Sequence, residues 1–403
     1  MMDMDNNYYE KTINSYGTMK TNKNFQIQTR NKKVNPTFQP LIQRVINFKA
    51  FAGVKHKKII LSDFSSSKNN DEADRFSLLI PYADQMLNWK ILFDQSNPEL
   101  GPDFEFDDKT FLTDPDLEEL ENNVPSLVNW DPRDPDCLIK VIVEFIVYYR
   151  KHQVEKLKNH ERLSHEYEML LKNTEICEED VEVILIPDTI DPNEARFFIR
   201  IALDFSRLPR RSGNETDRDA ITLQVTFSQL YWSRIVPLLY LSTSLEDVLG
   251  NSNTLHLPPF QPMKHLMTYV QEIKKLITDK MNAVIENFEK KREFITMALV
   301  LQGASVIEYD ALDFSFITLL LNHNDFHFFL HIHLSNKFPS EPPNYTLQSC
   351  YQTNHSDELP KRNVYSIPYS PRWKPIRMIS EAFHYILETE VEKFKKLSRS
   401  RRY

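Results

Sequence analysis

The densest run of chemistry-bearing side chains in this sequence is Phe326–Leu334, FHFFLHIHL, in which one residue separates His331 from His333. A strand turns every second side chain to the same face, so the two imidazoles could share a metal ion. Acidic residues elsewhere could supply a further ligand. Histidines on the polar face of a half-buried strand account for the same pattern, and that reading is adopted. The three cysteines, Cys137, Cys177 and Cys350, lie far apart. That spacing excludes a CxxC zinc site or a disulfide framework and fits a reducing compartment. Asp107–Glu121 is acidic, yet it matches no calcium loop and lacks the turning glycine, so it reads as a solvated irregular segment. No Ser-His-Asp order or paired-carboxylate spacing stands out. What remains is Tyr369, Pro371, Arg372 and Trp373, an aromatic–Arg–Pro cluster of the types enriched at interface hot spots. These four are the candidate partner-binding residues. Packing of Trp373 beneath a Pro-rich loop stays open as the alternative.

The elements that must position these residues follow from periodicity. Phe326, Phe328, Leu330, Ile332 and Leu334 share one face, which is a strand with one buried side. Pro339, Pro342 and Pro343 cannot donate to a ladder, so an ordered extended loop is expected before a strand resumes at Tyr345–Leu347. The same plan occurs at Leu87–Phe93, Asn97–Pro102 and Phe104–Phe106, and more weakly at Phe197–Phe205, Leu208–Pro209 and Ile221–Phe227. Strands are also expected near Lys58–Leu61 and Asp74–Ile80. A helix is expected over Phe38–Phe48, and a helix or pair of helices over the breaker-free span Cys137–Asp180, with the stripe Leu138, Val141, Ile142, Phe145, Ile146 and Tyr149. Leu266–Phe288 and Met378–Leu387 show the same spacing. Trp89, Trp130 and Trp232 are assigned mainly to cores.

At 403 residues the chain exceeds one ordinary core, since domains run to roughly 150 residues. With 41% hydrophobic and 12% aromatic residues it can bury several. A net charge of -8 speaks against a general nucleic-acid binder, and with 6 glycines there is no glycine-cradled phosphate motif. No run approaches the ~20 apolar residues of a membrane span. Proline clusters precede each late helix: Pro135, Pro262 and Pro375 lie 127 and 113 residues apart. This spacing predicts tandem domains. The boundaries are a disordered tail at 1–35, domains at 36–155, 156–280 and 281–395, and a basic tail at 396–403, where a nuclear-import or partner contact and a frayed solvated end are the alternatives.

Helix, antiparallel meander, Pro-rich crossing, Trp–Pro element and closing helix together resemble the ubiquitin-conjugating (E2-like) fold and its inactive UEV and RWD relatives. Asn97-Pro-Glu-Leu-Gly-Pro102 and Phe338-Pro-Ser-Glu-Pro-Pro343 resemble that family's Tyr-Pro-x-x-Pro-Pro signature, and Asn129-Trp-Asp-Pro132 its Trp-x-Pro element. The middle unit departs most, lacking the paired prolines. More specifically, Asp74–Tyr82, Trp89–Phe93, Asn97–Leu100, Lys291–Phe294 and Tyr369–Trp373 resemble the BRE (brain and reproductive organ-expressed) family over roughly residues 36 to 395.

The resemblance implies an α+β architecture of tandem UEV/RWD-like domains, each an antiparallel meander sheet packed on helices and joined by long helices. It further implies a non-enzymatic scaffold in the cytoplasm and nucleus, in the deubiquitinase complex called BRISC and its Abraxas-containing sister. The expected partners are a JAMM-type (MPN+) zinc deubiquitinase, an Abraxas-type (MPN-) subunit and a von Willebrand A-like adaptor, with polyubiquitin as a candidate ligand and neither nucleic acid nor membrane. No cofactor is expected in this chain, zinc belonging to the partner protease.

The residues agree with that implication. A conjugating enzyme needs a cysteine between the Pro-rich crossing and the Trp–Pro element. Phe106–Val128 and His355–Tyr369 contain none, the middle unit has none after Cys177, and Thr353 replaces the proline of the family's His-Pro-Asn before Asn354. A JAMM protease needs Ser-x-x-Asp about ten residues after His-x-His, where Ser340 comes early and Pro343 stands in place of the Asp. A stand-alone ubiquitin- or peptide-binding receptor is the competing reading.

Overall fold

The computed structural model describes residues 33–48, 58–68, 71–173, 175–187, 192–209, 219–261, 263–351 and 359–400. It is a mixed α and β structure whose three main sheets are all antiparallel meanders. The chain divides into two compact units. One comprises Met1–Ala202, Asp219–Thr243 and Ser252–Ile273, and the other Leu203–Arg218, Ser244–Asn251 and Lys274–Tyr403.

In the first unit, β1 (Lys33–Val34) pairs in parallel with β3 (Glu72–Ala73). The first main sheet has the order β2-β4-β5-β6, from β2 (Ile60–Ser65), β4 (Arg75–Tyr82), β5 (Gln85–Leu92) and β6 (Asp103–Glu105). Leu87, Trp89 and Ile91 of β5 are buried while Asn88 and Lys90 are exposed, as the alternation predicts. The β4–β5 hairpin closes on Ala83–Asp84, with φ of 45° and 58°. Two residues of positive φ match the twist of the flanking strands. Alanine is poorly suited to that conformation, and it is held there by its N–H donating to Glu182 Oε2 at 2.8 Å. α1 (Gln39–Asn47) and α4 (Cys137–Leu157) cover this sheet. All six stripe positions predicted for α4 are buried, and its Phe145 meets Phe104 at 4.7 Å and Phe106 at 5.2 Å.

The same unit holds the middle sheet, in the order β10-β9-β8-β7, from β7 (Val181–Pro187), β8 (Pro192–Arg200), β9 (Ile221–Ser228) and β10 (Arg234–Leu241). Ile184 and Phe198 on one face join the core of the first sheet, and the Tyr82 hydroxyl donates to the Val183 carbonyl at 3.0 Å. On the other face Phe227 packs on Phe260 at 6.3 Å, which in turn packs on Tyr269 at 4.8 Å.

Tyr269 belongs to α7 (Leu266–Gln302), which is 37 residues long. Its first N–H, at Leu266, donates to the buried Glu166 carboxylate of α5 (Glu161–Asn173) at 2.7 Å. A negative charge at a helix N-terminus satisfies an orphan donor and favours the helix dipole. Replacing Glu166 by alanine is expected to cost about 1–3 kcal/mol, with glutamine recovering part of it. Hydrogen exchange at Leu266–Tyr269 reads the loss, and unchanged exchange in Glu166→Ala would refute it.

The second unit carries β11 (Val306–Tyr309), β12 (Phe316–His323), β13 (Phe326–His333), β14 (Asn344–Ser349) and β15 (Lys361–Val364), in sequential order. Asn324–Asp325, with φ of 50° and 60°, repeats the hairpin form of Ala83–Asp84. Phe328, Leu330, Ile332, Tyr345 and Leu347 pack with Met378, Ile379 and Phe383 of α8 (Pro375–Tyr385) and Phe394 of α9 (Val391–Ser400), a π-turn over Ile386–Glu390 joining the two helices.

Several sequence-based expectations change. The Pro-rich crossing at 335–343 is a compact turn and not an extended loop. The Phe338 N–H donates to the Ser335 carbonyl at 3.1 Å, Glu341 N–H to Lys337 at 3.2 Å, and the Ser335 hydroxyl to Glu341 at 2.8 Å. The strand expected over Phe197–Phe205 stops at Arg200. Leu117–Asn123 in the acidic stretch is helical, because the Asp116 carboxylate accepts from Glu119 N–H at 2.7 Å. The C-terminal helix runs to Ser400 with Ser398 buried, where a frayed end was one of the alternatives. Trp232 is only half-buried and sits on the β9–β10 hairpin with positive φ. Of the expected tail, Lys33–Val34 is paired strand, and residues 1–32 lie outside the described residues. Asn354 and His355 also lie outside them. Among the described residues no helix is long and apolar enough to cross a membrane.

Candidate partner-docking site

The four candidate residues lie on the segment between β15 and α8. That segment has no regular structure from Tyr365 to Ser370 and then turns, the Trp373 N–H donating to the Ser370 carbonyl at 3.0 Å. Pro371 at the second position presets the backbone of such a turn. Tyr369 and Trp373 are half-buried against the core of the second unit, while Pro371 and Arg372 face solvent. It is Tyr369 that reaches the Pro-rich turn, its hydroxyl donating to the Pro339 carbonyl. Burial raises that hydroxyl to about 12, so it remains a donor at neutral pH. The Arg377 guanidinium lies 4.4 Å from the Trp373 ring centroid and 3.8 Å from Glu381. Tyr365 (75% exposed) and Ile376 (46%) flank the segment. Two aromatics thus act as supports, and a proline, an arginine and two apolar side chains are presented. Tyr369→Phe is expected to cost about 1 kcal/mol and to raise hydrogen exchange in 365–374; wild-type exchange there would refute the anchoring role.

The other candidate chemistry is arranged differently. His331 is half-buried, its ring nitrogens 3.1 Å from Thr318 Oγ1 and 3.1 Å from Gln348 Oε1, both uncharged cross-strand neighbours. Burial lowers its basicity. His333 is exposed with its ring 5.7 Å from Phe316. Among the described residues no group of three His, Cys, Asp or Glu side chains could hold a metal ion. Cys137 is buried at the start of α4, and burial followed by the Asp134 charge pushes its thiol up to about 11. Burial also raises Cys350. A nucleophilic thiolate needs the opposite environment. Cys177 is exposed in the turn preceding β7.

Sequence reasoning missed one polar centre. Asp108, read as part of a solvated stretch, has a side chain only 18% exposed. It accepts from Thr110 Oγ1 at 2.6 Å, Lys156 Nζ at 2.9 Å and Gln153 Nε2 at 3.3 Å. Gln153 in turn accepts from Leu185 N–H at 3.2 Å, tying α4 to the middle sheet. Helical spacing does bring Gln153 and Lys156 to one face, three residues apart, but nothing local signals that Asp108 folds onto them.

The family model described as "Brain and reproductive organ-expressed protein (BRE)" matches residues 32–353. The chain belongs to the BRE family. It is 33% identical over 378 residues, 91% of this chain and 96% of the relative, to "BRISC and BRCA1-A complex member 2" of Branchiostoma floridae. It is 36% identical over 319 residues, 77% of this chain and 81% of the relative, to the Danio rerio protein with the same name. The candidate segment at Tyr369–Trp373 of this BRE-family chain lies beyond the span matched by the family model.

Proposed function

We propose that this chain is a non-catalytic scaffold subunit of a deubiquitinase assembly specific for ubiquitin chains joined through lysine sixty-three of ubiquitin. In this reading it links a JAMM-type zinc protease and an Abraxas-type partner to an adaptor with a von Willebrand A-like fold. It works in the cytoplasm and nucleus without a cofactor of its own. Its body would be three UEV/RWD-like domains, at 36–155, 156–280 and 281–395. The observation that carries the reading is the near end-to-end similarity to a relative named as a complex member. The thiols of Cys137 and Cys350, raised by burial, support a role other than conjugation.

The loop Tyr369–Trp373 is the docking segment in this proposal, with Pro371 and Arg372 meeting a partner surface that bears carboxylates complementary to Arg372 and Lys374. A tagged copy purified from its own cells should bring down a zinc protease. With activating enzyme, ATP and ubiquitin, the purified chain should form no thioester. A thioester would overturn the scaffold reading, and so would recovery of the chain alone together with tight binding of free ubiquitin. Arg372→Glu should weaken assembly by about tenfold; unchanged assembly would remove this loop from the interface while leaving the scaffold reading intact.

A further inference from the structure

The docking segment carries a second feature, at Ser370, a residue to which the proposed docking assigns no contact. Ser370–Pro371 is the single Ser-Pro or Thr-Pro step in all 403 residues. Proline after a serine biases that serine toward extended backbone and presents no N–H at the next position. Those are the properties by which proline-directed Ser/Thr kinases select a substrate. The step lies on an irregular loop, with Ser370 half-buried and Pro371 exposed, and not inside a strand or helix, where the ladder would have to break first. Arg372 and Lys374, both exposed, add the positive charge that such kinases favour after the proline.

The geometry at Ser370 is open to the reaction. Its oxygen accepts from Arg372 N–H at 3.4 Å, and its carbonyl accepts from Trp373 N–H at 3.0 Å. Among the described residues no acceptor takes the hydroxyl proton. Opening this single turn into a kinase cleft sacrifices one ordinary and one long local hydrogen bond, and Ser370 is not part of the hydrophobic core.

We infer that Ser370 is the phosphoacceptor of a proline-directed kinase, and that the modification weakens docking at the Tyr369–Trp373 loop. The second half rests on the docking role proposed above. In the transfer, Ser370 Oγ attacks the γ-phosphorus of kinase-bound Mg-ATP. The new Oγ–P bond forms as the bond from phosphorus to the β,γ-bridging oxygen breaks. The hydroxyl proton passes to the general base of the kinase, and ADP leaves. The product carries a charge of about −1.5 to −2 at neutral pH. It stands in a segment whose cations are Arg372, Lys374 and Arg377, and whose carboxylate is the Glu381 paired with Arg377 at 3.8 Å. The phosphate neutralises the cations that would meet a carboxylate-bearing partner. It also competes with the Trp373 ring for Arg377.

The test uses the full folded chain with a purified cyclin-dependent or mitogen-activated kinase and ATP, beside a peptide spanning 365–377 as the unfolded reference. Intact mass should rise by one phosphate, mapped to Ser370, and both Ser370→Ala and Pro371→Ala should abolish it. A folded chain that stays unmodified while the peptide is phosphorylated overturns the proposal, as does a phosphate mapped elsewhere. Phosphorylated and unmodified chains are then mixed with the purified protease, Abraxas-type subunit and adaptor, expecting about tenfold weaker assembly after modification. If Ser370 is phosphorylated and Arg372→Glu weakens assembly but the phosphate does not, the regulatory half is wrong. If neither changes assembly, the docking role of the loop falls, and the regulatory half with it.

Discussion

Replacing Trp89 by alanine will cost the first unit about 3–5 kcal/mol, the range for removing a fully enclosed aromatic. Trp89 is 0% exposed at the centre of β5, with ring centroids of Phe106 at 5.1 Å, Phe145 at 6.2 Å, Tyr149 at 6.2 Å and Phe111 at 6.5 Å. These neighbours come from a strand end, a loop and α4, three elements that cannot all move inward to fill the space. Interiors are packed like organic crystals, so the lining atoms lose their dispersion partners. The indole N–H also finds no hydrogen-bond partner among the described residues. Trp89→Phe removes that unsatisfied donor while keeping most of the ring, and should cost less than half as much as alanine. Urea unfolding followed by circular dichroism checks both. A Trp89→Ala loss below about 1 kcal/mol would show that the site collapses, contrary to this account.

The second large effect concerns Asp108. Burial works against its charge, but hydrogen bonds from Thr110 and Lys156 more than offset that and hold the carboxyl down to about 2. Its ordinary value is 3.8. Because the folded value is the lower one, the unfolded chain takes up the proton first as pH falls. The stabilisation is therefore complete above about pH 4 and is lost between there and about 2. Asp108→Asn should lower stability at neutral pH by about 2–3 kcal/mol, since Lys156 loses its counter-charge and the buried amide of Gln153 its acceptor. The same variant should flatten the acid limb of the stability curve. Equal slopes for variant and parent below pH 4 would sink the assignment.

Both effects bear on function through positioning. Gln153 hands the Asp108 network on to Leu185 of the middle sheet, and Tyr82 of the first sheet reaches Val183 beside it. The scaffold role proposed above would need surfaces held in fixed register, and buried polar links of this kind favour one arrangement where apolar packing alone would tolerate several. In the second unit the Tyr369 hydroxyl does the equivalent work between the Pro-rich turn and the loop before α8.

How much of this was legible in the chain can be judged element by element. The alternation of Phe326–Leu334 and the stripe from Leu138 to Tyr149 correctly marked a strand and a helix, and even which faces are buried. The Pro-rich crossing was misread as extended, because prolines exclude ladder bonding but do not specify the turn that Ser335 and Glu341 close. The aromatic–Arg–Pro cluster was visible as a composition. That Tyr369 and Trp373 face inward while Pro371 and Arg372 face outward was not.

The sequence by itself determined the strongly periodic elements, such as β13 and α4, the family and the absence of a cysteine in the 106–128 interval, because backbone periodicity and residue identity are local properties of the chain. The tertiary structure alone decided what the polar groups do. His331 meets Thr318 and Gln348 only through strand register. Asp108 leaves solvent only because α4 brings Gln153 and Lys156 against it from more than forty positions away. A side chain's charge, partners and exposure depend on neighbours brought together by chain closure, and no local pattern encodes them.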